Sequence, residues 1–308
     1  MLISGLGPRK MPILFIAAPP RSSSLGVADL FYQGADLDGK PALLTGHLHL
    51  AAELSGADMN RYHSPLHLYS AREALVRCLM ALHQMPASID NYGSILKYYF
   101  NSPENALDLD RFRSVLQACS PLLIDPSFSH AMDVDLLSKL PQLGVEFNLL
   151  VLWRNPIRFS LDLMQGVYGF DSCLQWILAG SSLSFPLDPL MLWLEYVKAF
   201  VELIRQPPAS LRRIIHVPRE TVSQETIPHL CSQLLIDYRP GIRLSSLGKT
   251  VSMFSECPYS GDPSYAIDPC TPQHLQISYE DLRRFSRQER VVRDVVDYAK
   301  TIGYEVIP

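Results

Sequence analysis

The chain has 308 residues, 47% hydrophobic and 19% charged, with a mean hydropathy near zero; this is a globular composition and excludes a disordered or low-complexity chain. Its 27 basic residues against 31 acidic ones leave a net charge of −4, so no basic excess recommends nucleic acid as a partner. The length allows a large core, and we expect one α/β domain over residues 1–308.

Six cysteines (Cys78, Cys119, Cys173, Cys231, Cys257 and Cys270) contain no C-x-x-C pair and no histidine at zinc-finger spacing. That argues against a metal site or a disulfide framework and for a reduced, cytoplasmic protein. The apolar run from Met11 to Ala18 is short and ends in Pro-Pro, which reads as a first strand rather than a leader. No stretch approaches the roughly 20 apolar residues of a membrane span, so no stable membrane insertion is expected.

In chain order, Pro12 to Ala18 predicts a buried strand. The loop Pro19-Pro20-Arg21-Ser22-Ser23-Ser24 follows, and then a helix with Val27, Leu30 and Phe31 at helical spacing. A helix start carries backbone N–H groups without intrahelical partners, so an anion is stabilised there. Arg21 adds a charge and the three serines add short donors, which suits a phosphate or a sulfate. The nucleoside-triphosphate pattern ending in Gly-Lys-Ser/Thr is absent. Ala42 to Thr45 is a short strand candidate, followed by a junction holding His47 and His49.

Helical spacing then recurs over Ser70–Gln84, Ile89–Phe100 and Leu109–Cys119, a helical excursion over the sheet. Pro121 to Asp125 reads as a buried strand and Ala131 to Leu140 as its helix. Phe147 to Trp153 is the clearest strand, stopped by Arg154-Asn155-Pro156, with a helix to about Gln165. A long helix lies within Ser184–Arg205, a strand over Arg213–Val217, and a helix over Glu225–Leu235. Leu244 to Pro272 is a long loop rich in Ser, Gly and Pro, and such loops are commonly functional. Ser278 to Ile302 is expected as one charged amphipathic helix. Alternating strands and helices predict a mostly parallel β-sheet flanked by helices on both faces. Ligands of such sheets bind beyond the carboxyl ends of the strands, where Arg21, Asp125 and Arg154 should converge.

Pro20-Arg21-Ser22-Ser23-Ser24-Leu25 resembles the 5′-phosphosulfate loop of sulfotransferases, with Ser23 where glycine is usual and Leu25 where a second hydroxyl is usual. Val151 to Arg158 resembles the family's 3′-phosphate stretch, whose arginine, here Arg154, clamps the 3′-phosphate of 3′-phosphoadenosine 5′-phosphosulfate (PAPS), the sulfuryl donor. A planar guanidinium suits that work because it donates two hydrogen bonds to one oxyanion. Ile214 to Val217 with Thr226 to Leu235 looks like the family's late strand and helix. In the family a serine eight positions after the arginine also binds the phosphate; here that position is Asp162, whose carboxylate would repel it. Ser160 is the nearby hydroxyl, about 200° around the helix from Asp162. The family's glycine-rich loop, Arg-Lys-Gly followed by Gly-Asp-Trp, is not found; Gly248-Lys249-Thr250 lies in the corresponding region and would supply a cation.

The resemblance implies a P-loop-like sulfotransferase fold, with PAPS held by Arg21, Ser22, Ser23, Ser24, Leu25, Arg154 and Ser160, no metal, and a small-molecule, lipid or glycan hydroxyl as acceptor. It places the general base at His130, shortly after the strand ending at Asp125, or at His47, with Arg21 stabilising the leaving group. Imidazole titrates near neutral pH, as such a base should. Two other readings stay open: a sulfotransferase fold kept for binding alone, and a phosphotransferase using the same loop with Asp125 as its acidic group.

Overall fold

A computed structural model of the chain describes residues 12–19, 24–37, 40–44, 50–51, 76, 79–80, 83, 85, 88–100, 122–126, 134–143, 145–168, 188–240 and 272–308. Its strands are β1 (Pro12–Ala17), β2 (Ala35–Leu37), β3 (Lys40–Pro41), β4 (Leu43–Leu44), β5 (Leu123–Asp125), β6 (Glu146–Trp153), β7 (Leu211–Pro218), β8 (Asp237–Tyr238), β9 (Gln276–Ser278) and β10 (Glu305–Ile307). The helices are α1 (Ser24–Tyr32), α2 (Ile89–Phe100), α3 (Asp135–Lys139), α4 (Pro156–Tyr168), α5 (Pro189–Arg205), α6 (Ile227–Gln233), α7 (Tyr279–Phe285) and α8 (Glu289–Thr301).

Because β1 is apolar at every position, alternation sends Ile13, Phe15 and Ala17 into one core layer and Leu14 and Ile16 into the other. β6 does the same, with Phe147, Leu149, Val151 and Trp153 on the first side and Leu150 and Leu152 on the second. A strand apolar on both faces is stable only inside a covered sheet. The sheet has the order β4-β5-β1-β6-β7, with all four pairings parallel. Side chains of α4, α5 and α8 cover the first face; α1 and α6 cover the second. This is the expected α/β architecture. The apolar stripe of α5, including Trp193, Tyr196 and Phe200, is core.

Two small sheets fall outside the sequence expectations. β2 pairs antiparallel with β3 and β8, and β9 pairs in parallel with β10. Gly34 lets the first form: a Cβ there would meet the Tyr238 ring at 2.4 Å. The second depends on Gly303, which leaves α8 at φ +100° while the Tyr304 N–H donates to the Ala299 carbonyl at 3.0 Å, the helix-ending turn that favours glycine.

The helix expected over Ser278–Ile302 is a correction: it is two helices broken at Ser286, whose backbone is extended. The Ser286 hydroxyl donates to Asp188 and accepts the Gln288 N–H at 3.2 Å, so a tertiary contact competes with helix continuation. Asp188 is itself the N-cap of α5, accepting from the N–H groups of Leu190 and Met191. The long loop expected from Leu244 lies outside the described residues up to 271, as do the helices expected over 109–119 and much of 70–84. Among the described residues, no helix is long and apolar enough to cross a membrane.

Candidate functional site

β1 lies between β5 and β6, so the segments leaving these three strands share one carboxyl edge. Three side chains tie that edge together. Ser24, the first residue of α1, donates its hydroxyl proton to the Pro126 carbonyl at 3.0 Å, which fixes the helix start beside the end of β5. Asp125 is buried, and its carboxylate accepts the Leu50 N–H. Tyr196, reaching from α5, has its hydroxyl 3.0 Å from the Ala17 carbonyl and 3.1 Å from the Leu152 carbonyl. Burial holds the Tyr196 pKa well above the ordinary phenol value, so the group stays a neutral donor shared between two strand ends.

At the end of β6 the chain turns into α4 through Asn155. Its side-chain oxygen accepts the N–H groups of Ile157 and Arg158, capping the helix, and its amide donates to the carbonyls of His274 and Gln276, both at 3.0 Å. Beside it stands Arg154, whose side chain is 14% exposed. Its Nη2 donates to Asp162 Oδ2 at 2.7 Å and its Nη1 to Glu220 Oε1 at 3.4 Å, while Nε is buried without a partner among the described residues. The guanidinium therefore faces two carboxylates.

Glu220 belongs to the short 3-10 turn after β7 and is almost wholly buried. Its Oε1 also accepts the Asn155 N–H at 3.1 Å, and its Oε2 accepts the Tyr304 hydroxyl at 2.8 Å. Burial, reinforced by the Glu220 charge, raises the Tyr304 pKa well above the ordinary value, so this phenol also remains a donor. The run Asp162, Arg154, Glu220, Tyr304 thus connects α4, the end of β6, the turn after β7 and the C-terminal segment.

Of the residues singled out in the sequence, Arg21, Ser22, Ser23, His47, His130 and Lys249 lie outside the described residues. Ser24 and Leu25 open α1. Ser160 is fully buried, and its hydroxyl donates to the Pro156 carbonyl one helical turn back, at 2.7 Å. Asp162, expected as a repulsive group, lies within ion-pairing distance of Arg154. Glu220, Tyr196 and Tyr304 carry no sequence signal for their places here. Asn155 carried one, since a short polar side chain before proline at a strand end is a helix-cap signature.

The fold and this edge can be set beside known structures. The chain is similar to the sulfotransferase domain from the Synechococcus PCC 7002 olefin synthase, at 19% identity and a TM-score of 0.59, over 98% of each chain. It is also similar to the sulfotransferase domain from the curacin biosynthetic pathway, at 14% identity and a TM-score of 0.56, over 97% of this chain and 100% of that one. No family model and no curated protein matches the sequence. At these identities the likeness defines the architecture: the chain has the sulfotransferase fold, in a divergent sequence.

Proposed function

We propose that the chain is a cytoplasmic sulfotransferase, one domain over residues 1–308, that moves a sulfuryl group from PAPS to a hydroxyl of a small-molecule, lipid or glycan acceptor. The observation that carries this reading is the convergence of the strand ends. β1 ends at this edge, with Arg21, Ser22 and Ser23 next in sequence before α1; α1 begins with Ser24 against Pro126 beyond β5, and Arg154 leaves β6 on the other side of β1, all within a sulfotransferase fold.

In this reading the helix start with Arg21 and the serines cradles the 5′-phosphosulfate, and Arg154 stands toward the 3′ side of the nucleotide. The acceptor oxygen attacks sulfur, the bond from sulfur to the bridging phosphate oxygen breaks, and the acceptor's proton passes to His130 or, as the alternative, His47. Arg21 stabilises the charge that develops on adenosine 3′,5′-bisphosphate as it leaves. A binding-only role is the second reading, favoured by the two carboxylates on Arg154.

Titration with adenosine nucleotides and with ATP, followed by turnover of PAPS with a panel of hydroxyl acceptors, separates these readings. Adenosine 3′,5′-bisphosphate binding with sulfated product supports the transferase, binding without product supports the second role, and preference for ATP would replace both with phosphoryl chemistry. The pH profile tests the base: turnover should rise through mildly acidic pH, and His130→Gln should remove that limb while leaving nucleotide affinity intact. If His47→Gln removes it instead, the base is His47.

A further inference from the structure

Asp162 stands on the edge of Arg154 that a phosphate would use. Nε and Nη2 form the side of a guanidinium that grips an oxyanion with two parallel hydrogen bonds. Asp162 engages only Nη2, and Nε is buried with no partner among the described residues, so the fork is half-filled. Buried donors are nearly always satisfied, and an orphan on a phosphate-binding edge points to a ligand that the present arrangement keeps out. Glu220 occupies the remaining Nη1 and is itself held by Asn155 and Tyr304, which fixes the guanidinium from behind.

The charges reinforce the geometry. Arg154 is one cation against two carboxylates, so a phosphate approaching the intact cluster meets an excess of negative charge. Asp162 is 34% exposed at its side chain, whereas Glu220 is 2% exposed and triply bonded; Asp162 is the partner that can swing away into water.

Resting on the sulfotransferase reading above, we propose that Asp162 is an internal competitor for the donor's 3′-phosphate and so sets the nucleotide specificity of this chain. The 3′-phosphate must displace Asp162 from Nη2 before it can fill the fork. Its attraction to Arg154 is offset by the ion pair it breaks, and a nucleotide with a free 3′-hydroxyl binds about as well as one with a 3′-phosphate. Replacing Asp162 by a neutral residue leaves Nε and Nη2 to the phosphate.

Calorimetric titration of the parent and of Asp162→Asn with adenosine 3′,5′-bisphosphate and with adenosine 5′-phosphate tests this. The parent should hold the two ligands within about threefold of each other, and Asp162→Asn should tighten the bisphosphate about tenfold or more while leaving the monophosphate unchanged. A parent that already holds the bisphosphate more than about 30-fold tighter, or a variant whose ratio matches the parent's, overturns the proposal while the sulfotransferase reading stands. Failure of the parent to bind either nucleotide overturns both. The parent's own ratio decides the matter should the variant not fold.

Discussion

Glu220 is a carboxylate that water barely reaches, yet Arg154, Asn155 and Tyr304 all donate to it. A buried anion held this way is stable only as a set, because each lost donor leaves an acceptor desolvated and unmatched. Tyr304→Phe should therefore lower the unfolding free energy by about 1–3 kcal/mol in urea titrations, and a loss near zero would mean that water replaces the phenol. Close approach sets a different limit at Gly34, where an added methyl carbon would overlap the Tyr238 ring. Gly34→Ala should cost about 1–3 kcal/mol, and that cost should shrink in a Tyr238→Ala background. At Cys231 burial pushes the thiol from 9.0 up to about 12. The folded state keeps the proton longer, so this group's stabilisation is complete below the unfolded thiol's value and is lost as pH rises through the folded one. Cys231 should accordingly resist iodoacetamide at mildly alkaline pH until denaturant is added, as peptide mass spectrometry can follow; equal labelling of folded and unfolded chain would contradict the burial.

Among the elements, the helical and strand periods were readable wherever one face meets one core. β1, β6 and α5 carry their patterns openly, because burial on both faces or along a stripe demands apolar residues at those positions. The break between α7 and α8 was not readable: Ser286-Arg287-Gln288 contains neither glycine nor proline, and the reason for the break is Asp188, 98 residues away. Asp188 caps α5 and holds Ser286 at once, so Asp188→Ala should remove more stability than Ser286→Ala. We expect about 1–2 kcal/mol for the first and about 1 kcal/mol for the second from chemical denaturation. Equal losses would show that the α5 cap contributes little. The two-residue and three-residue strands β2, β3, β8 and β9 are too short for any period to register.

For the whole molecule, ligand binding and stability are linked, since a nucleotide held only by the folded state raises its melting temperature. If the turn after β1 cradles the 5′-phosphosulfate, saturating adenosine 5′-phosphate should raise the melting temperature of the parent clearly and that of Arg21→Ala much less, with the two ligand-free proteins melting alike. An equal ligand shift in both would remove Arg21 from the cradle. The measurement reports on the assembled edge, because the β5-β1-β6 order and the Ser24 contact with Pro126 bring the end of β1 and the start of α1 to it.

The chain's own pattern was enough to set the fold class, the strand and the helix at its start and the Arg154-Asn155-Pro156 stop, because each is local: a period, a cap, a proline in a first helical turn. It also brought Asp162 under suspicion as a group unfriendly to phosphate. Only the tertiary structure showed that Asp162 pairs with Arg154, since α4 carries it back to the guanidinium at the end of β6. The same holds for Glu220, Tyr196 and Tyr304, brought to the strand edge from turn, helix and C-terminal segment. Hydrogen bonds and ion pairs act over about 3 Å in space and ignore distance along the chain, so no local pattern announces them.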